Sequence, residues 1–377
     1  MQVSKIATLC AVLMLFSGLA VADPPLRQVQ RAPFGDTQAV DRWLAGHPYA
    51  PARQLANAYG ARCEMQARMG RYRAAADACG RMVELEGRNA SPGARQSLGF
   101  WQALSDVPPI HVQGEVNAPL SYGWTGMAEA PVEVGRETAS WGVDTGAEIT
   151  TMSASDAARF GARMLDAPLE IHGSTPGTAA GHIGVIDHIR IGGARIDNIP
   201  VFVVPDAALT FDGRRVPPLL GAPVLYAFGR VEFANHGQRL HLSASQPGPL
   251  PGHLSWNESG VAIEISFARG RAEAHLDTGA NISEMHTSTR SLLSSAQRSR
   301  LTLSTVRLAG VSGEIQRPRW RSQALDLNLG GGTCHVDGLD FGDERDGAQG
   351  RVGIDLVKSC ENFQFDVSTM TFSARGD

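Results

Sequence analysis

A four-residue word, Asp-Thr-Gly-Ala, occurs twice in this chain and constrains its fold more than any other feature. The first copy begins at Asp144, within 141–151, and the second at Asp277, within 274–284. In both copies a hydrophobic residue precedes the aspartate, and an isoleucine and a hydroxyl-bearing residue follow shortly after the alanine. A given word of this length has a chance probability of about one in 10⁵ per position at average residue usage. Two copies in matching contexts therefore predict an internal duplication.

The similarity extends well beyond the two motifs. Aligning Asp144 with Asp277 aligns an apolar strand pattern before each motif and a short helix candidate after it, at 154–163 and 288–298. A glycine-bearing hairpin follows in each half, with Gly173, Gly177 and Gly181 in the first and Gly310 and Gly313 in the second. An apolar element that ends in glycine comes next, Leu219-Leu220-Gly221 in the first half and Val352-Gly353 in the second. These glycines lie 77 and 76 positions after their aspartates.

The sequence pattern after Pro109 is typical of an all-β protein. Short, often alternating apolar runs are separated by Gly, Pro and Asn, as expected of a barrel or a sandwich. The stretch 245–252 is rich in proline and glycine and is the clearest linker. We therefore predict a mainly β chain with two duplicated β-barrel lobes, 109–244 and 253–377, joined by this linker.

Composition bounds the function classes. The chain has 377 residues, of which 43% are hydrophobic, and can bury the cores of two or three domains. Its formal net charge is −4, and it contains no long basic run. Because this pattern lacks the electrostatic footprint of a nucleic-acid-binding protein, we expect no nucleic acid as a partner.

The N-terminus has the pattern of a targeting segment. Lys5 precedes an apolar run over 6–21, and Ala20-Val21-Ala22 fits the small-x-small cleavage rule. We expect a signal peptide over 1–22 and a mature protein that is periplasmic or secreted. The near absence of lysine, with only Lys5 and Lys358, favours a GC-rich bacterial source. An uncleaved membrane anchor is the alternative.

Four cysteines remain after the signal segment: Cys63, Cys79, Cys334 and Cys360. An even number in an oxidising compartment indicates two disulfides. The economical pairing is local, Cys63 with Cys79 and Cys334 with Cys360, although three connectivities are open. A zinc site would need tighter ligand spacing, so we expect no metal and no cofactor.

Residues 23–108 have a different character from the rest of the chain. Apolar residues recur at helical spacing from Thr37 to about Ser105, and glycines interrupt the pattern. The stretch around 56–76 resembles a tetratricopeptide-type helical hairpin, with a single repeat visible. Three roles remain open for this helical region: a docking module for a protein partner, an inhibitory pro-segment, and packing against the remainder of the chain.

The paired motif can place two carboxylates side by side. An apolar strand delivers each aspartate to a sheet edge, and Gly146 and Gly279 allow a close backbone approach. The Thr145 and Thr278 hydroxyls can hydrogen-bond to the opposite loop. Two close carboxylates cannot both ionise easily, so one retains a proton while the other stays anionic. The anion can take a proton from a shared water, and the acid can polarise a peptide carbonyl.

The sequence resembles the retropepsin-type aspartic peptidases over roughly 110–377. The Asp-Thr-Gly-Ala motif and the downstream Leu219-Leu220-Gly221 element are the two signatures of that family. The resemblance implies two retropepsin-like lobes that form a bilobal acid-protease fold within one chain, with Asp144 and Asp277 as the catalytic dyad. It implies that Thr145, Gly146, Thr278 and Gly279 support the dyad. It also implies that Gly173, Gly177, Gly181, Gly310 and Gly313 belong to flaps over the substrate, and that Leu219, Leu220, Gly221, Val352 and Gly353 form the second signature.

The second half departs from the family pattern in two places. Arg351 stands where an apolar residue is typical, which predicts less regular packing there. The second hairpin continues into Arg317, Arg319 and Arg321. These arginines are either a solvated edge or a surface that favours acidic substrate side chains.

The sequence thus predicts an exported aspartic endopeptidase that hydrolyses peptide or protein substrates. We expect a monomer without a membrane span after signal cleavage. The alternative is a catalytically silent peptide- or protein-binding module on the same fold. Retention of both aspartates, both threonines and both glycines favours catalysis, because a binding module has no need of two mutually repelling carboxylates.

Overall fold

The computed structural model describes residues 6–7, 32, 36–172, 178–246, 248–257, 260–310, 313–342 and 348–376. Gly173 and Gly177 of the first predicted flap lie outside the described residues. The predicted signal segment also lies outside them, apart from Ile6 and Ala7, which form the two-residue strand β1 (Ile6–Ala7). Within the described part of the chain, no helix has the length and apolar character needed to cross a membrane.

The N-terminal region is helical, as predicted. Its helices are α1 (Gln38–Gly46), α2 (Ala52–Arg68), α3 (Tyr72–Glu86) and α4 (Pro92–Ala103). Helix α4 begins where its sequence indicates, because the Ala94 N–H donates to the Ser91 side chain at 3.0 Å and proline occupies the first helical position. Helices α2 and α3 form an antiparallel hairpin that the Cys63–Cys79 disulfide links. The tetratricopeptide-like character of this hairpin stays a prediction.

Within the described residues, the first motif lies in a run of fourteen strands. They are β2 (His111–Gln113), β3 (Val116–Pro119), β4 (Ser121–Tyr122), β5 (Ala128–Val134), β6 (Glu137–Asp144), β7 (Thr150–Ser153), β8 (Arg163–His172), β9 (Thr178–Ile191), β10 (Ala194–Val204), β11 (Thr210–Phe211), β12 (Arg214–Arg215), β13 (Leu219–Gly221), β14 (Arg230–Ala234) and β15 (Arg239–Ser243). Two short helices interrupt them, α5 (Ala154–Arg159) and α6 (Ala222–Tyr226).

The second motif lies in the remaining strands. They are β16 (Gly252–Asn257), β17 (Gly260–Phe267), β18 (Gly270–Leu276), β19 (Glu284–His286), β20 (Thr302–Gly310), β21 (Gly313–Arg321), β22 (Leu325–Leu329), β23 (Gly332–Val336), β24 (Asp340–Gly342), β25 (Gly350–Val352), β26 (Asn362–Asp366) and β27 (Thr371–Arg375). Their helices are α7 (Ser295–Ser299) and α8 (Ile354–Lys358). The Cys334–Cys360 disulfide joins β23 to the end of α8, so both disulfides follow the local pairing.

Both helix candidates that follow the motifs are shorter than predicted. Helix α5 ends at Arg159, because Gly161 adopts a φ of +68° and reverses the chain. In the second half, a 3₁₀ turn over Thr287–Leu292 precedes a new start at Ser294, which forms a capping box with Gln297. Local capping chemistry, rather than the apolar pattern, sets these boundaries.

The strands around the two motifs repeat one topology. In the nine-stranded sheet, β13 runs parallel to β6 and antiparallel to β7. In the sixteen-stranded sheet, β25 runs parallel to β18 and antiparallel to β19. The residue partners correspond at a constant offset of 133 between β5–β6 and β17–β18, since Glu129 pairs with Gly142 and Ala262 with His275.

The last hairpins of the two repeats pair with one another. Strand β14 is antiparallel to β26, with Val231 opposite Phe365 and Phe233 opposite Phe363. All four side chains are buried and belong to one hydrophobic cluster that draws residues from both repeats. The chain is therefore mainly β with an N-terminal helical region, and its two repeats share a sheet and a core.

The helical region shares a core with the first repeat. Tyr72, Phe100 and Leu104 are buried in one cluster with Ile149 and Leu219, which flank the first motif. Phe100 and Leu104 are 2% and 0% exposed. Of the three roles considered for this region, packing against the remainder of the chain is the one that these contacts favour.

Candidate active site

Two strand ends deliver the aspartates. Asp144 is the last residue of β6 and pairs with Gly221 of β13, while the Asp277 N–H donates to the Val352 carbonyl at 2.9 Å. Glycine is required beside each loop: a Cβ on Gly221 would lie 2.5 Å from the Ile149 carbonyl carbon, and one on Gly353 would lie 2.7 Å from the Ala280 oxygen. The structure thus places the predicted second-signature residues against the aspartate loops.

Crossed threonine hydrogen bonds hold the two loops together. The Thr145 hydroxyl donates to the Leu276 carbonyl at 2.9 Å and accepts from the Thr278 N–H at 3.0 Å. Reciprocally, the Thr278 hydroxyl donates to the Val143 carbonyl at 2.7 Å and accepts from the Thr145 N–H at 3.1 Å. All four bonds are buried, so each loop fixes the backbone of the other.

The glycines of the motif let the two carboxyl groups approach. A Cβ on Gly146 would lie 2.5 Å from Oδ1 of Asp277, and one on Gly279 would lie 2.4 Å from Oδ2 of Asp144. Each aspartate therefore occupies the space that a side chain at the opposite glycine would need. Both aspartates are 0% exposed.

The environment of Asp144 disfavours its charge. Burial raises the pKa of Asp144 well above its usual value, and the neighbouring charge of Asp277 raises it further. The Gly146 and Ala147 N–H groups donate to Oδ1 of Asp144 at 2.9 and 3.1 Å and act in the opposite direction. Such a carboxyl pair can hold one proton and one negative charge.

The surroundings of the two aspartates differ at three adjacent strand positions. In the first repeat these positions hold Gly142, Leu219 and Thr151. In the second repeat they hold His275, Arg351 and Glu284. Arg351 Nη1 lies 3.6 Å from Asp277 Oδ2, and the arginine side chain is 21% exposed. The departure at Arg351 noted in the sequence therefore brings a cation to the dyad.

The extra volume of His275 is accommodated by an exchange of large and small residues. In the first repeat Met127 packs over Gly142, where a Cβ would lie 3.2 Å from Met127 Cε. The position equivalent to Met127 in the second repeat is Gly260, where a Cβ would lie 2.9 Å from His275 Nε2. Burial, opposed by Asp277 and assisted by Arg351, lowers the pKa of His275 to about 4.

The two hairpins are placed in part. Gly310 and Gly313 pair with each other at the tip of the β20–β21 hairpin. Gly181 lies inside β9 rather than at a hairpin tip. A Cβ on Gly181 would lie 2.4 Å from the Val203 carbonyl oxygen. Contact of these glycines with a substrate stays a prediction.

One member of the arginine cluster beyond the second hairpin, Arg319, is buried rather than solvated. Arg319 is 1% exposed, and its Nε lies 2.6 Å from Oε1 of Glu284. Arg321 Nη1 lies 2.9 Å from Oδ1 of Asp340. The hypothesis that Arg319 favours acidic substrate side chains is wrong, because its guanidinium group is buried beside Glu284. For Arg317 and Arg321 that hypothesis stays a prediction. The burial of Arg319 decides its case, and the alternating pattern of arginines does not predict that burial.

A second charge cluster joins the helical region to the site. The Trp256 indole N–H donates to Oε1 of Glu64 at 2.6 Å, and the Arg68 guanidinium, paired with Glu64, lies 3.2 Å above the Trp256 ring. Burial raises the pKa of Glu148 well above its usual value, Glu64 raises it further, and Arg68 opposes both. Burial lowers the pKa of Arg68 to about 9. The only sequence signal was the helical spacing of Glu64 and Arg68, which does not reveal their distant partners.

Within the described ranges, no group of three or more His, Cys, Asp or Glu side chains is arranged to hold a metal ion.

Comparison with protein families identifies the class of the first repeat. Residues 130–224 match the family model described as aspartyl protease. The match includes Asp144 and the Leu219–Gly221 strand and ends before the second repeat. The chain therefore contains an aspartyl-protease-like domain.

Comparison with curated proteins gives no significant match. Among solved structures, basic 7S globulin from soybean is similar over 71% of this chain and 95% of its own, at 12% identity and a TM-score of 0.44. Conglutin gamma, a basic 7S globulin from lupine seeds, is similar over 70% of this chain and 95% of its own, at 10% identity and a TM-score of 0.46. At these values the likeness does not extend to function.

Proposed function

We propose that this protein is an aspartic endopeptidase whose catalytic dyad is Asp144 and Asp277. The observation that carries the proposal is the pair of buried carboxyl groups that face each other across four crossed threonine hydrogen bonds. In this proposal the two repeats are the retropepsin-like lobes of a bilobal enzyme, and the substrate lies between them.

The chemistry follows from a dyad that shares one proton. The anionic carboxylate takes a proton from a water molecule as that water attacks the scissile carbonyl carbon. The protonated carboxyl donates a hydrogen bond to the carbonyl oxygen, where negative charge develops. When the tetrahedral intermediate collapses, the C–N bond breaks and the amine leaves with a proton. No covalent enzyme intermediate is required.

Substrate binding would use the two hairpins. An extended peptide can form backbone hydrogen bonds with strand edges, while pockets between the strands select alternate side chains. In this proposal Gly310 and Gly313 belong to one flap, and Gly181 lies at the base of the other. In the alternative function, the same cleft binds a peptide without cleaving it. The assay below must distinguish binding alone from cleavage.

The two disulfides support a location outside the reducing cytosol, because disulfides persist in oxidising compartments. We propose that the protein is exported and acts as a monomer, since both halves of the dyad belong to one chain. A protein partner at the helical region is compatible with this proposal, provided that it binds the outer face of the helices.

The test is cleavage of a diverse peptide library by the protein from Asp23 onward, from acid to neutral pH. Asp144→Asn and Asp277→Asn are run beside it, with pepstatin as an added probe. We expect cleavage that either substitution abolishes. No cleavage by the wild type at any pH would favour the binding module, and cleavage that survives both substitutions would place the chemistry elsewhere.

A further inference from the structure

The two aspartates occupy equivalent positions in repeated strands, yet their neighbours are not equivalent. In the first repeat, Leu219 pairs with Gly142 on one side and Thr151 on the other. None of these three residues can carry a charge. The environment that β7 and β13 provide for Asp144 is therefore neutral.

In the second repeat the same three positions are all ionisable. Arg351 pairs with His275 on one side and Glu284 on the other. These three replacements occur at adjacent positions. Gly260, which stands where the first repeat has Met127, makes room for His275. The four differences therefore form one connected arrangement.

Four titratable groups surround Asp277, and one of them is a cation. Asp277 faces Arg351 on β25, His275 on β18, Asp144 of the opposite loop and the buried Tyr226 of α6. His275 is neutral above about pH 4, because burial lowers its pKa to about 4.

Glu284 of β19 also faces Arg351, but it does not neutralise that arginine fully. Glu284 is shared with Arg319 of β21, whose guanidinium lies 2.6 Å away, and Asp340 of β24 is in turn paired with Arg321. Two guanidinium groups therefore flank the single Glu284 carboxylate. Arg351 in turn places its Nη1 atom 3.6 Å from Oδ2 of Asp277.

We propose that Arg351 is a positioning residue that keeps the negative charge of the dyad on Asp277 and leaves the shared proton on Asp144. This inference rests on the proposed aspartic endopeptidase function. In the reaction described above, Asp277 then removes the proton from the attacking water, and Asp144 donates to the substrate carbonyl oxygen. Arg351 acts through Asp277 and not on the substrate itself.

The ion pair has a consequence for the pH dependence of catalysis. An opposite charge within about 4–6 Å of a carboxyl group lowers its pKa by about one unit or more. We therefore expect removal of the Arg351 charge to raise the pH at which the dyad releases its first proton. The acidic limb of the kcat/KM profile reports this step, because the base must be ionised in the free enzyme.

The test is the pH profile of kcat/KM for Arg351→Leu, which restores the residue of the first repeat. We expect its acidic limb to move up by about one pH unit, which is a loss of about tenfold in kcat/KM on that limb. Arg351→Gln, which keeps a polar group of moderate size without the charge, should shift the limb in the same direction. Arg351→Lys should stay close to the wild type.

A matched control is Arg271→Leu. Arg271 forms an exposed pair with Glu264 and lies on β18, six positions before Asp277. Arg271→Leu therefore removes the same charge at a site away from the dyad. Its acidic limb should not move.

An unmoved limb in both Arg351→Leu and Arg351→Gln would overturn the inference. It would also be overturned by a change confined to KM for substrates with acidic side chains, since Arg351 would then contact the substrate. Both results differ from failure of the proposed function itself, in which the wild type shows no cleavage or Asp144→Asn retains it.

Discussion

The charge of Asp144 is disfavoured by the fold that positions it. Burial and the charge of Asp277 both raise the pKa of Asp144 above its value in an unfolded chain. A carboxyl group with a raised folded-state pKa stabilises the fold below its unfolded pKa, and that stabilisation is lost as the pH rises through the folded value. The buried Asp144 carboxyl group therefore weakens the folded state near neutral pH.

Replacing Asp144 with Asn removes this penalty while keeping an oxygen that can accept from Gly146 and Ala147. We expect Asp144→Asn to raise the Tm at pH 7 by about 2–4 °C, as a gain of about 1 kcal/mol does in a protein of moderate size. The gain should vanish below about pH 4, where the aspartate is protonated in both states. Thermal unfolding across pH measures it, with exposed Asp187→Asn as the control. A Tm at pH 7 that is unchanged or lower would contradict the assignment.

The aspartates, threonines and glycines of the candidate site could be predicted from the sequence. Paired carboxyl chemistry requires the aspartates, hydrogen bonds between the loops require the threonine hydroxyls, and the close approach of the backbones requires glycine. The sequence pattern showed that Arg351 is unusual at its position, but it did not indicate which residue Arg351 contacts. The strand register decides that partner, because it places Arg351 between His275 and Glu284. The burial of Arg319 could not be predicted from the sequence either, because a run of alternating arginines is typical of a solvated strand edge.

At the scale of the elements, two loops from different sheets depend on each other. Each loop contributes to the backbone hydrogen bonding of the other, because the Val143 and Leu276 carbonyls accept from the hydroxyl of the opposite threonine. This arrangement couples the positions of the two strand ends. A loss on one side should therefore displace both aspartates.

Thr278→Val tests that coupling with a side chain of nearly the same shape. It removes the bonds to the Val143 carbonyl and from the Thr145 N–H, and leaves two buried polar groups without them. We expect a loss of roughly 2–4 kcal/mol in the free energy of unfolding. A fall of up to about 100-fold in kcat should accompany it, because small displacements of reacting groups are costly.

Thr278→Ser keeps the hydroxyl and serves as the matched control. Denaturant unfolding and steady-state kinetics measure the two effects. If valine and serine behave alike, the hydroxyl is not what joins the loops.

At the scale of the whole molecule, the helical region is continuous with the β part. Glu64 and Arg68 of α2 reach Trp256 at the start of the second repeat, and the Arg68 charge also acts on Glu148 beside the first motif. Sequence patterns predicted the helices and the β strands, because each has its own periodicity. They could not predict this junction, because its members are separated by up to 192 positions and follow no period.

Arg68→Met removes the cation from the junction while retaining a stem that can pack on Trp256. It leaves two carboxylates, Glu64 and Glu148, without their shared partner. We expect a loss of about 3 kcal/mol in the free energy of unfolding at pH 7, as for a broken buried ion pair. The loss should shrink as the pH falls, because Glu148 has a raised pKa and protonates readily.

Arg73→Met is the control within the same region. Arg73 pairs with Asp106 at the surface and is 71% exposed, so the change should stay within about 0.5 kcal/mol. Denaturant unfolding at pH 7 and pH 5 compares the two variants. Equal small effects would mean that the helical region rests on the β part without an electrostatic link.

We propose that one chain contains a complete dyad, with one aspartate from each repeat. The most direct measurement is peptide cleavage by Asp144→Asn, by Asp277→Asn and by an equimolar mixture of the two, over a range of protein concentrations. We expect no cleavage in any of the three, because each molecule of the mixture lacks one carboxylate of its own site. Activity that returns in the mixture and grows with concentration would place the dyad between two chains, and activity in either variant alone would remove that aspartate from the reaction.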